Sequence, residues 1–404
     1  MVPEMRNCDE DKFGVVQGNF FPTRELVCYQ TIRLGNYTRG TFSDSWRWFE
    51  GRLVPLDVRD FGSMRFFYSL LAMVLAMAAH PLHAQTPATQ TPLRTLGTIE
   101  RFKPEFDKLL PADSKLEVLA DGFTWTEGPL WMGDDKTGYL LFTDIPRNSI
   151  FSWSKFHGIS LFMEPSGYTG VTYYGLEPGA NGLLKDSEGN LVMCEHGDRR
   201  VSVLTPNGGK RTLADNYKGK RLNSPNDGVL KSNGDIYFTD PPYGLPQREK
   251  DPRRELDHFG VYRISKKTGE LTLMTTELAR PNGIGFSPDE KTLYVAQSDP
   301  KKAIWMTFEV KDDGTLGAGK LFYDATEEVG KRPGLPDGLS VDKQGNVWAS
   351  GPGGIYVFSS AGVLLGRINT GERTSNCCFG EDGSTLFVTA DSNLCRIRTN
   401  ASGL

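Results

Sequence analysis

The segment Leu335-Pro-Asp-Gly-Leu-Ser-Val-Asp-Lys-Gln-Gly-Asn-Val-Trp-Ala349 contains the pattern that decides the fold. Its two short apolar stretches are separated by residues 342–346, a polar turn of the kind that joins antiparallel strands. The same order of polar residue, glycine, apolar stretch and polar turn recurs in three further segments, which begin at Asn181, Asp227 and Asn282. Recurrence at a regular interval predicts a repeat architecture in which each copy is one structural unit.

Six copies can be aligned on the polar residue that opens each repeat, namely Glu127, Asn181, Asp227, Asn282, Asp337 and Asn376. The successive spacings are 54, 46, 55, 55 and 39 residues, close to the span of about 40 to 50 residues of one four-stranded propeller blade. The residues after Asn376 suffice for only two or three strands. We therefore predict that a strand near residues 116–120 completes the last blade, which would close the ring and remove its exposed edges. The fold predicted for residues 98–404 is all-β, a six-bladed β-propeller.

All six aligned positions carry a carboxylate or an amide. The first strand of each propeller blade lines the central channel, so polar residues at the entry to these strands would converge on the axis. Asp and Asn also favour turns that precede strands, but this alternative explains an unbroken set of six less well. Oxygen ligands gathered at one point are what Ca²⁺ binds in proteins. The sequence therefore predicts an axial site for a divalent metal, calcium before others.

The composition is that of a globular, mildly acidic protein. The chain has 404 residues, 38% of them hydrophobic and 11% aromatic, and a formal net charge of −4. No dense run of lysine and arginine is present, which argues against nucleic acid or an anionic membrane surface as a partner. The six cysteines show no C-x-x-C spacing. Whether two of Cys194, Cys377, Cys378 and Cys395 form a disulfide stays open at this point.

Residues 64–84 have the pattern of a secretory signal peptide. Arg65 precedes an apolar run from Phe66 to Ala79, and the small residue Ala84 permits cleavage before Gln85. The run is shorter than the ~20 residues that span a membrane; an uncleaved anchor or a buried helix is the alternative. The pattern predicts an exported protein, periplasmic or secreted, without stable membrane association after cleavage.

A signal peptide normally begins the chain, yet 63 residues precede Met64. Residues 1–63 show no clear periodicity. We interpret them as an over-extended gene model or an unstructured segment, with translation starting at Met64. Residues 85–97 are polar and contain prolines, which predicts a linker to the folded domain.

Six motifs occur in a fixed order along the predicted propeller. They are Thr126-Glu-Gly-Pro-Leu-Trp131, Cys194-Glu-His-Gly-Asp-Arg-Arg200, Ser224-Pro-Asn-Asp-Gly228, Phe238-Thr-Asp-Pro-Pro-Tyr-Gly244, Arg280-Pro-Asn-Gly283 and Leu335-Pro-Asp-Gly338. Together they resemble the gluconolactonase/regucalcin (SMP-30) family of six-bladed propellers, in its bacterial gluconolactonase branch. The resemblance spans about residues 100–398.

The resemblance implies a set of metal ligands, which are Glu127, Asn226, Asn282 and Asp337. The ion is usually calcium in this family, although relatives accept zinc, manganese or magnesium. Strict repeat register would select Asp227 in place of its neighbour; we follow the resemblance for Asn226 and expect Asp227 to orient the ligands. The resemblance also implies that Asp337 is the catalytic acid and base.

Four residues are predicted to form the substrate site: Asn181, His196, Asp227 and Tyr243. His196 could bind a substrate hydroxyl or move a proton, and the alternative is a buried histidine satisfied by Glu195 or by the backbone. Tyr243 is predicted to be a pocket wall, although Pro-Pro-Tyr loops often serve only as rigid turns.

The predicted function is metal-dependent hydrolysis of a sugar lactone, such as glucono-1,5-lactone, to the aldonate, which is carboxylic ester hydrolysis. A bound divalent cation can polarise the carbonyl and lower the pKa of water. The sequence contains no G-x-S-x-G or H-E-x-x-H motif, so serine hydrolase and zincin chemistry lack support. The alternatives are a related esterase or phosphotriesterase similar to diisopropylfluorophosphatase, and a non-catalytic propeller that binds a sugar or a protein.

Overall fold

The computed structural model describes residues 46–49, 52–55, 93–134 and 137–404. The chain divides into two compact units, residues 1–90 and residues 91–404. In the first unit, strand β1 (Trp46–Phe49) pairs with strand β2 (Arg52–Pro55) in an antiparallel hairpin. This hairpin lies within the segment 1–63, where the sequence predicts no regular structure.

The predicted signal peptide, residues 64–84, lies outside the described residues, as do residues 85–92 of the predicted linker. Within the described part of the chain, no helix has the length and apolarity needed to cross a bilayer.

The second unit begins with four short elements, three of which are strands that pair with sheets formed by the C-terminal part of the chain. They are β3 (Thr95–Leu96), β4 (Thr98–Arg101), the one-turn helix α1 (Phe106–Leu109) and β5 (Leu116–Ala120). Strand β3 falls inside the predicted linker, so regular structure starts a few residues earlier than the sequence predicts.

Six antiparallel sheets follow one another along the chain and form the blades of a propeller. Blade 1 consists of β6 (Thr126–Met132), β7 (Tyr139–Asp144), β8 (Ser149–Ser154) and β9 (Gly158–Met163). Blade 2 consists of β10 (Ala180–Lys185), β11 (Leu191–Glu195), β12 (Arg200–Leu204) and β13 (Lys210–Ala214), and a small hairpin, β14 (Asn216–Tyr217) with β15 (Lys220–Arg221), follows it. Blade 3 consists of β16 (Gly228–Leu230), β17 (Ile236–Asp240), β18 (Gly260–Ile264) and β19 (Leu271–Thr275).

The second half of the ring repeats this order. Blade 4 consists of β20 (Pro281–Phe286), β21 (Thr292–Asp299), β22 (Lys302–Glu309) and β23 (Lys320–Asp324). Blade 5 consists of β24 (Leu339–Val341), β25 (Val347–Gly351), β26 (Gly354–Phe358) and β27 (Leu364–Asn369), and blade 6 of β28 (Thr374–Gly380), β29 (Thr385–Ala390) and β30 (Asn393–Arg398). Two 3₁₀ turns, Arg248–Lys250 and Thr326–Glu328, lie in the connections.

The N-terminal strands close the ring. Strand β5 pairs antiparallel with β30, with Ala120 opposite Leu394, and β3 adds outside it. The predicted closing strand is therefore confirmed, as is the all-β, six-bladed propeller. The sequence does not predict the role of β4, which pairs with β27 as a fifth strand of blade 5. One short segment thus covers the edges of two neighbouring blades, which protects both from edge-to-edge pairing.

The core lies between the blades, because alternate residues of each strand face opposite neighbours. Between blades 4 and 5, Trp305 packs against Tyr356 and Phe358 with ring centroids 5.4 and 5.5 Å apart. The four cysteines of the propeller are all free thiols, which answers the disulfide question that the sequence leaves open.

A polar–glycine pair opens five of the six repeats, all except the one at Asn376, and it interrupts the ladder of the first strand. In blades 1, 2 and 4 the register shifts between Glu127 and Leu130, between residues 180 and 183, and between residues 281 and 284. In blades 3 and 5 the first strand begins only after the pair, at Gly228 and Leu339. Such interruptions leave a residue outside the ladder and re-aim its side chain.

The glycines of these pairs are required by close packing around the axis. A Cβ atom on Gly128 would lie 2.2 Å from the carbonyl oxygen of Asn181, and one on Gly283 would lie 2.1 Å from that of Asp337. Each glycine therefore lets the polar residue of the next blade approach the channel.

Candidate functional site

A cavity of about 840 Å³ opens at one end of the axial channel. Five residues from the sequence-predicted set line it, namely Glu127, Asn181, Asn226, Asn282 and Asp337, and Tyr243 forms part of its wall. A second cavity of about 590 Å³ lies at the other end, where Asp227 and Asn376 contribute to the lining. The ring of aligned polar residues is therefore divided between two faces.

The asparagine of blade 3 that faces the larger cavity is the one selected by the resemblance. The backbone N–H of Asn226 donates to the carbonyl oxygen of Thr239 at 2.9 Å, before β16 begins. Its neighbour Asp227 is buried and belongs to the lining of the opposite cavity. A shift of one residue exchanges the two faces of an extended chain, so the side chains of these neighbours line different cavities.

Three amide oxygens in the larger cavity have no hydrogen-bond partner among the described residues, those of Asn181, Asn226 and Asn282. Their amide nitrogens are engaged. Asn282 Nδ2 donates to Ser298 Oγ at 2.8 Å, and Ser298 donates onward to the carbonyl oxygen of Pro336. Buried acceptors without partners are costly, which makes these oxygens candidates for binding a ligand.

The carboxylates near the axis accept hydrogen bonds from amide and backbone groups. Glu127 Oε2 accepts from the backbone of Gly128 at 2.5 Å and from Asn376 Nδ2 at 3.0 Å. Burial, together with the charge of Asp227, raises the pKa of Glu127 to about 8. Burial raises the pKa of Asp227 to about 7. The pKa of Asp337 is raised well above its usual range by burial and by the charges of Glu127 and Asp227.

This donor set fits a hard divalent cation. It combines carboxylate oxygens with unpaired amide oxygens and no sulfur, the composition that Ca²⁺ and Mg²⁺ prefer. In the described part of the chain, no group of three or more His, Cys, Asp or Glu side chains is arranged to hold a metal ion. A cation bound here would therefore depend on amide oxygens, those of Asn226 and Asn282, as well as on Glu127 and Asp337.

His196 lies behind the asparagines, outside the set of residues that line the cavity. Its side chain is fully buried, with Nε2 at 3.3 Å from Asn181 Nδ2 and at 3.4 Å from Asn226 Nδ2. Burial lowers the pKa of His196 to about 3, against a smaller opposing contribution from the main chain of Glu177. Neither His196 nor Asp227 lines the larger cavity, and their substrate-binding role stays a prediction.

Several lining residues are absent from the sequence-based prediction. Glu177 reaches the cavity from the irregular loop between β9 and β10, and burial raises its pKa to about 7. Arg248 lies 3.9 Å from Glu177 Oε1 and stacks over the ring of Tyr243. Lys331 and Arg373 line the mouth of the cavity. These residues belong to connections between strands and carry no repeat signal, so the periodicity that revealed the ring could not reveal them.

The fold and the axial pocket define the class: a six-bladed propeller with an oxygen-rich cavity on its axis. A family model described as the SMP-30/gluconolactonase/LRE-like region matches residues 125–392. The chain therefore belongs to the SMP-30/gluconolactonase family, as the sequence motifs imply.

Two relatives are similar over most of their own length. The gluconolactonase of Zymomonas mobilis is 39% identical over 340 residues, which is 82% of this chain and 95% of that protein. The solved structure of a gluconolactonase from Xanthomonas campestris is 31% identical, with a TM-score of 0.65, over 77% of this chain and 99% of that one.

A third relative is similar in fold alone. Regucalcin from Agrobacterium tumefaciens, described as a calcium-binding protein, has a TM-score of 0.55 at 20% identity and covers 71% of this chain and 94% of its own.

Proposed function

We propose that this protein hydrolyses a sugar lactone of the glucono-1,5-lactone type to its aldonate, with a divalent cation of the calcium class bound on the propeller axis. One observation carries the proposal. Three unpaired amide oxygens and two carboxylates with raised pKa converge on one cavity. Lactone hydrolysis is the activity named for the relatives from Zymomonas and Xanthomonas. The protein is thus an enzyme of the carboxylic ester hydrolase class.

Glu127, Asn226, Asn282 and Asp337 would hold the cation. When bound, such a cation polarises an ester carbonyl and lowers the pKa of a water molecule. Calcium is proposed before zinc because no cysteine or histidine lines the described cavity and the available donors are oxygens.

Asp337 is proposed to move the proton. Unlike the deeply buried Glu127, it is partly exposed to the cavity. Its carboxylate would accept a proton from the attacking water as the new acyl–oxygen bond forms. The same proton would go to the ring oxygen as the lactone bond breaks, so that one group serves as base and then as acid.

The substrate is proposed to bind between the axial ring and the wall of the cavity. A volume of about 840 Å³ lies within the ~300–1,000 Å³ typical of small-molecule sites. Asn181 and Tyr243, which line this cavity, would contact sugar hydroxyls. Tyr243 is oriented by its own O–H, which donates to the carbonyl oxygen of Ser298 at 2.8 Å.

The experiment that tests the proposal is proton release from glucono-1,5-lactone, followed with a pH indicator above the spontaneous rate. We expect catalysed hydrolysis that a chelator abolishes and that added Ca²⁺ restores. Hydrolysis insensitive to the chelator would contradict the role of the cation. If the lactone is not hydrolysed but diisopropyl fluorophosphate is, the phosphotriesterase alternative replaces the proposal. Sugar binding without turnover of either compound would indicate a non-catalytic propeller.

Export to the periplasm or the medium is a separate proposal, supported by the pattern of residues 64–84 alone. N-terminal sequencing of the protein purified from its natural source should begin at Gln85. A mature chain that retains Arg6 or Trp46 would contradict both export by this signal and translation from Met64.

A further inference from the structure

The imidazole of His196 is shared by two asparagines from different blades. Asn181 belongs to β10 of blade 2, Asn226 precedes β16 of blade 3, and His196 follows β11. Nε2 lies 3.3 and 3.4 Å from the two Nδ2 atoms. The opposite atoms of the same amides, both Oδ1, have no partner in the described structure. One ring nitrogen therefore faces two donors while two oxygens are left for a ligand.

The partners of the ring determine which nitrogen carries the proton. Nδ1 lies 3.7 Å from Glu177 Oε2 and has no hydrogen-bond partner among the described side chains, and the main chain of Glu177 also acts on the ring. A proton on Nδ1 directs a positive N–H dipole at that carboxylate and leaves the Nε2 lone pair to accept from Asn181 and Asn226. If both amides were reversed, two oxygens would compete for a single Nε2 proton, and the Nδ1 lone pair would face Glu177.

The ring is also fixed in position. A Cβ atom on Gly244 would lie 2.4 Å from Cγ of His196, so the backbone of the Pro-Pro-Tyr-Gly loop packs directly on the imidazole. Tyr174 Oη donates to the carbonyl oxygen of His196 at 3.2 Å. These contacts hold the backbone and the base of the ring in place beside the two amides.

We propose that His196 is a positioning residue that turns the side-chain oxygens of Asn181 and Asn226 into the axial cavity, where Asn226 would bind the cation and Asn181 the substrate beside it. This inference rests on the proposed function, because it assumes that a cation occupies the cavity. In this proposal His196 does not contact the substrate, which is the role that the sequence predicts for it, but acts indirectly. It accepts from both amide nitrogens, so that the amide oxygens are the atoms that face the axis. Partners that orient ligands in this way typically change metal affinity 10- to 100-fold when they are removed.

Two polar substitutions separate orientation from packing. In His196→Gln the side-chain amide reaches about as far as Nε2 and can accept from both asparagines. In His196→Asn the amide is one methylene shorter and ends near Nδ1, so the acceptor is lost while a polar side chain is kept. His258→Asn is the matched control, because His258 also has polar partners on both nitrogens, Asp257 and Tyr262, but lies outside the described lining of the cavity.

The readouts do not depend on catalysis. Calorimetric titration with Ca²⁺ gives the affinity, and the luminescence decay of bound Eu³⁺ in H₂O and in D₂O counts the water molecules on the ion. We expect His196→Asn to weaken Ca²⁺ binding by about 10- to 100-fold and to add about one water to Eu³⁺, with His196→Gln within about threefold of wild type. His258→Asn should match wild type in both measurements.

Two outcomes overturn the inference. One is wild-type affinity and water count in His196→Asn. The other is an equal loss in His196→Gln and His196→Asn, which would mean that packing alone matters. Wild-type protein that binds neither ion would overturn the cation assignment itself, so the two failures are distinguishable. If His196→Asn does not fold, nitrogen NMR of the wild-type histidine decides: a proton on Nε2 in place of Nδ1 overturns the inference.

Discussion

The two ends of the axial channel use buried asparagine side chains in opposite ways. At the larger cavity, Asn181, Asn226 and Asn282 each keep an unpaired side-chain oxygen. At the other end, both amide atoms of Asn376 are engaged. Its Oδ1 accepts from the backbone N–H of Cys377 at 2.8 Å, and its Nδ2 donates to Glu127 at 3.0 Å and to Asp227 at 3.1 Å.

The comparison indicates that residue type alone does not distinguish a ligand-binding asparagine from a structural one. The distinction lies in whether the side-chain amide already has hydrogen-bond partners for both of its polar atoms. A buried acceptor without a partner costs about 1–3 kcal/mol. Three such acceptors at one end of the channel are explained if a ligand completes them, whereas the saturated Asn376 needs no ligand. Asn376 instead links two carboxylates that would otherwise repel each other, one at each end.

The largest effect is expected for Asp337→Asn, because Asp337 both binds the cation and moves the proton in the proposed reaction. We expect kcat for glucono-1,5-lactone to fall by about 10²- to 10⁴-fold, the range for loss of a general acid–base group. Circular dichroism should show an unchanged fold, since the substitution removes a carboxylate whose charge is disfavoured by burial. The control is Asp312→Asn, at an exposed position. Undiminished kcat in Asp337→Asn would remove that residue from the mechanism.

Substitution of an asparagine whose side-chain oxygen has no partner should weaken ligand binding and leave the stability of the fold nearly unchanged. Asn282→Ala removes an unpaired oxygen and one hydrogen bond to Ser298. We expect Ca²⁺ affinity, measured by calorimetry, to fall by at least about 10- to 100-fold. The free energy of unfolding of the metal-free protein should change by no more than about 1 kcal/mol. Unchanged Ca²⁺ affinity would show that the open oxygens do not bind the cation.

Substitution of Asn376, whose side-chain amide has all its hydrogen-bond partners, should lower the stability of the fold. Asn376→Ala leaves a backbone N–H and two buried carboxylates without their partner, so we expect a loss of about 1–3 kcal/mol in urea unfolding of the metal-free protein. A stability equal to that of Asn282→Ala would contradict the distinction between the two ends.

The smallest effect is a dependence of stability on pH. The pKa values are raised to about 8 for Glu127 and to about 7 for Glu177 and Asp227. The folded protein therefore binds more protons than the unfolded chain between the ordinary carboxyl pKa and these values, so the unfolding free energy of the metal-free protein falls as pH rises through that window. Below the ordinary carboxyl pKa this contribution to stability is fully present.

Calcium should oppose this loss, because it replaces the protons on the same carboxylates. We expect the rise in Tm on adding Ca²⁺ to be larger at pH 8 than at pH 5 by a few degrees, on the order of ~2–4 °C. Differential scanning calorimetry at both pH values measures it, with Asp312→Asn as the control for general charge effects. A calcium effect of the same size at both pH values would show that the carboxylates do not exchange protons for the cation.

Much of the fold could be predicted because its signals are local. The alternation of apolar and polar residues defines strands, and a repeated polar–glycine pair marks the start of five of the six blades. The shortage of residues after Asn376 implied a closing strand, and β5 supplies it. The pairing of β4 with β27 could not be predicted, because an edge accepts any extended segment that reaches it and the sequence of β4 carries no repeat signal.

The candidate site was predicted less completely. The repeat identifies Glu127, Asn282 and Asp337, but Glu177 and Arg248 enter from irregular loops whose course depends on contacts across blades. The placement of His196 behind two asparagines, and of Asp227 on the opposite face from Asn226, also depends on packing around the closed ring.

The sequence by itself determined the class of fold, the number of blades and the family, because strand period, turn chemistry and repeat spacing act over a few residues. Only the tertiary structure decided which buried polar atoms have no hydrogen-bond partner within the protein. That outcome depends on ring closure, which brings six separate strand starts together and leaves some amides saturated by neighbours and others facing the cavity. Asp337 illustrates both contributions. Its place in the repeat can be identified from the sequence. The raised pKa of its carboxyl comes from burial and from the charges of Glu127 and Asp227, residues distant in sequence that the closed propeller brings close to it.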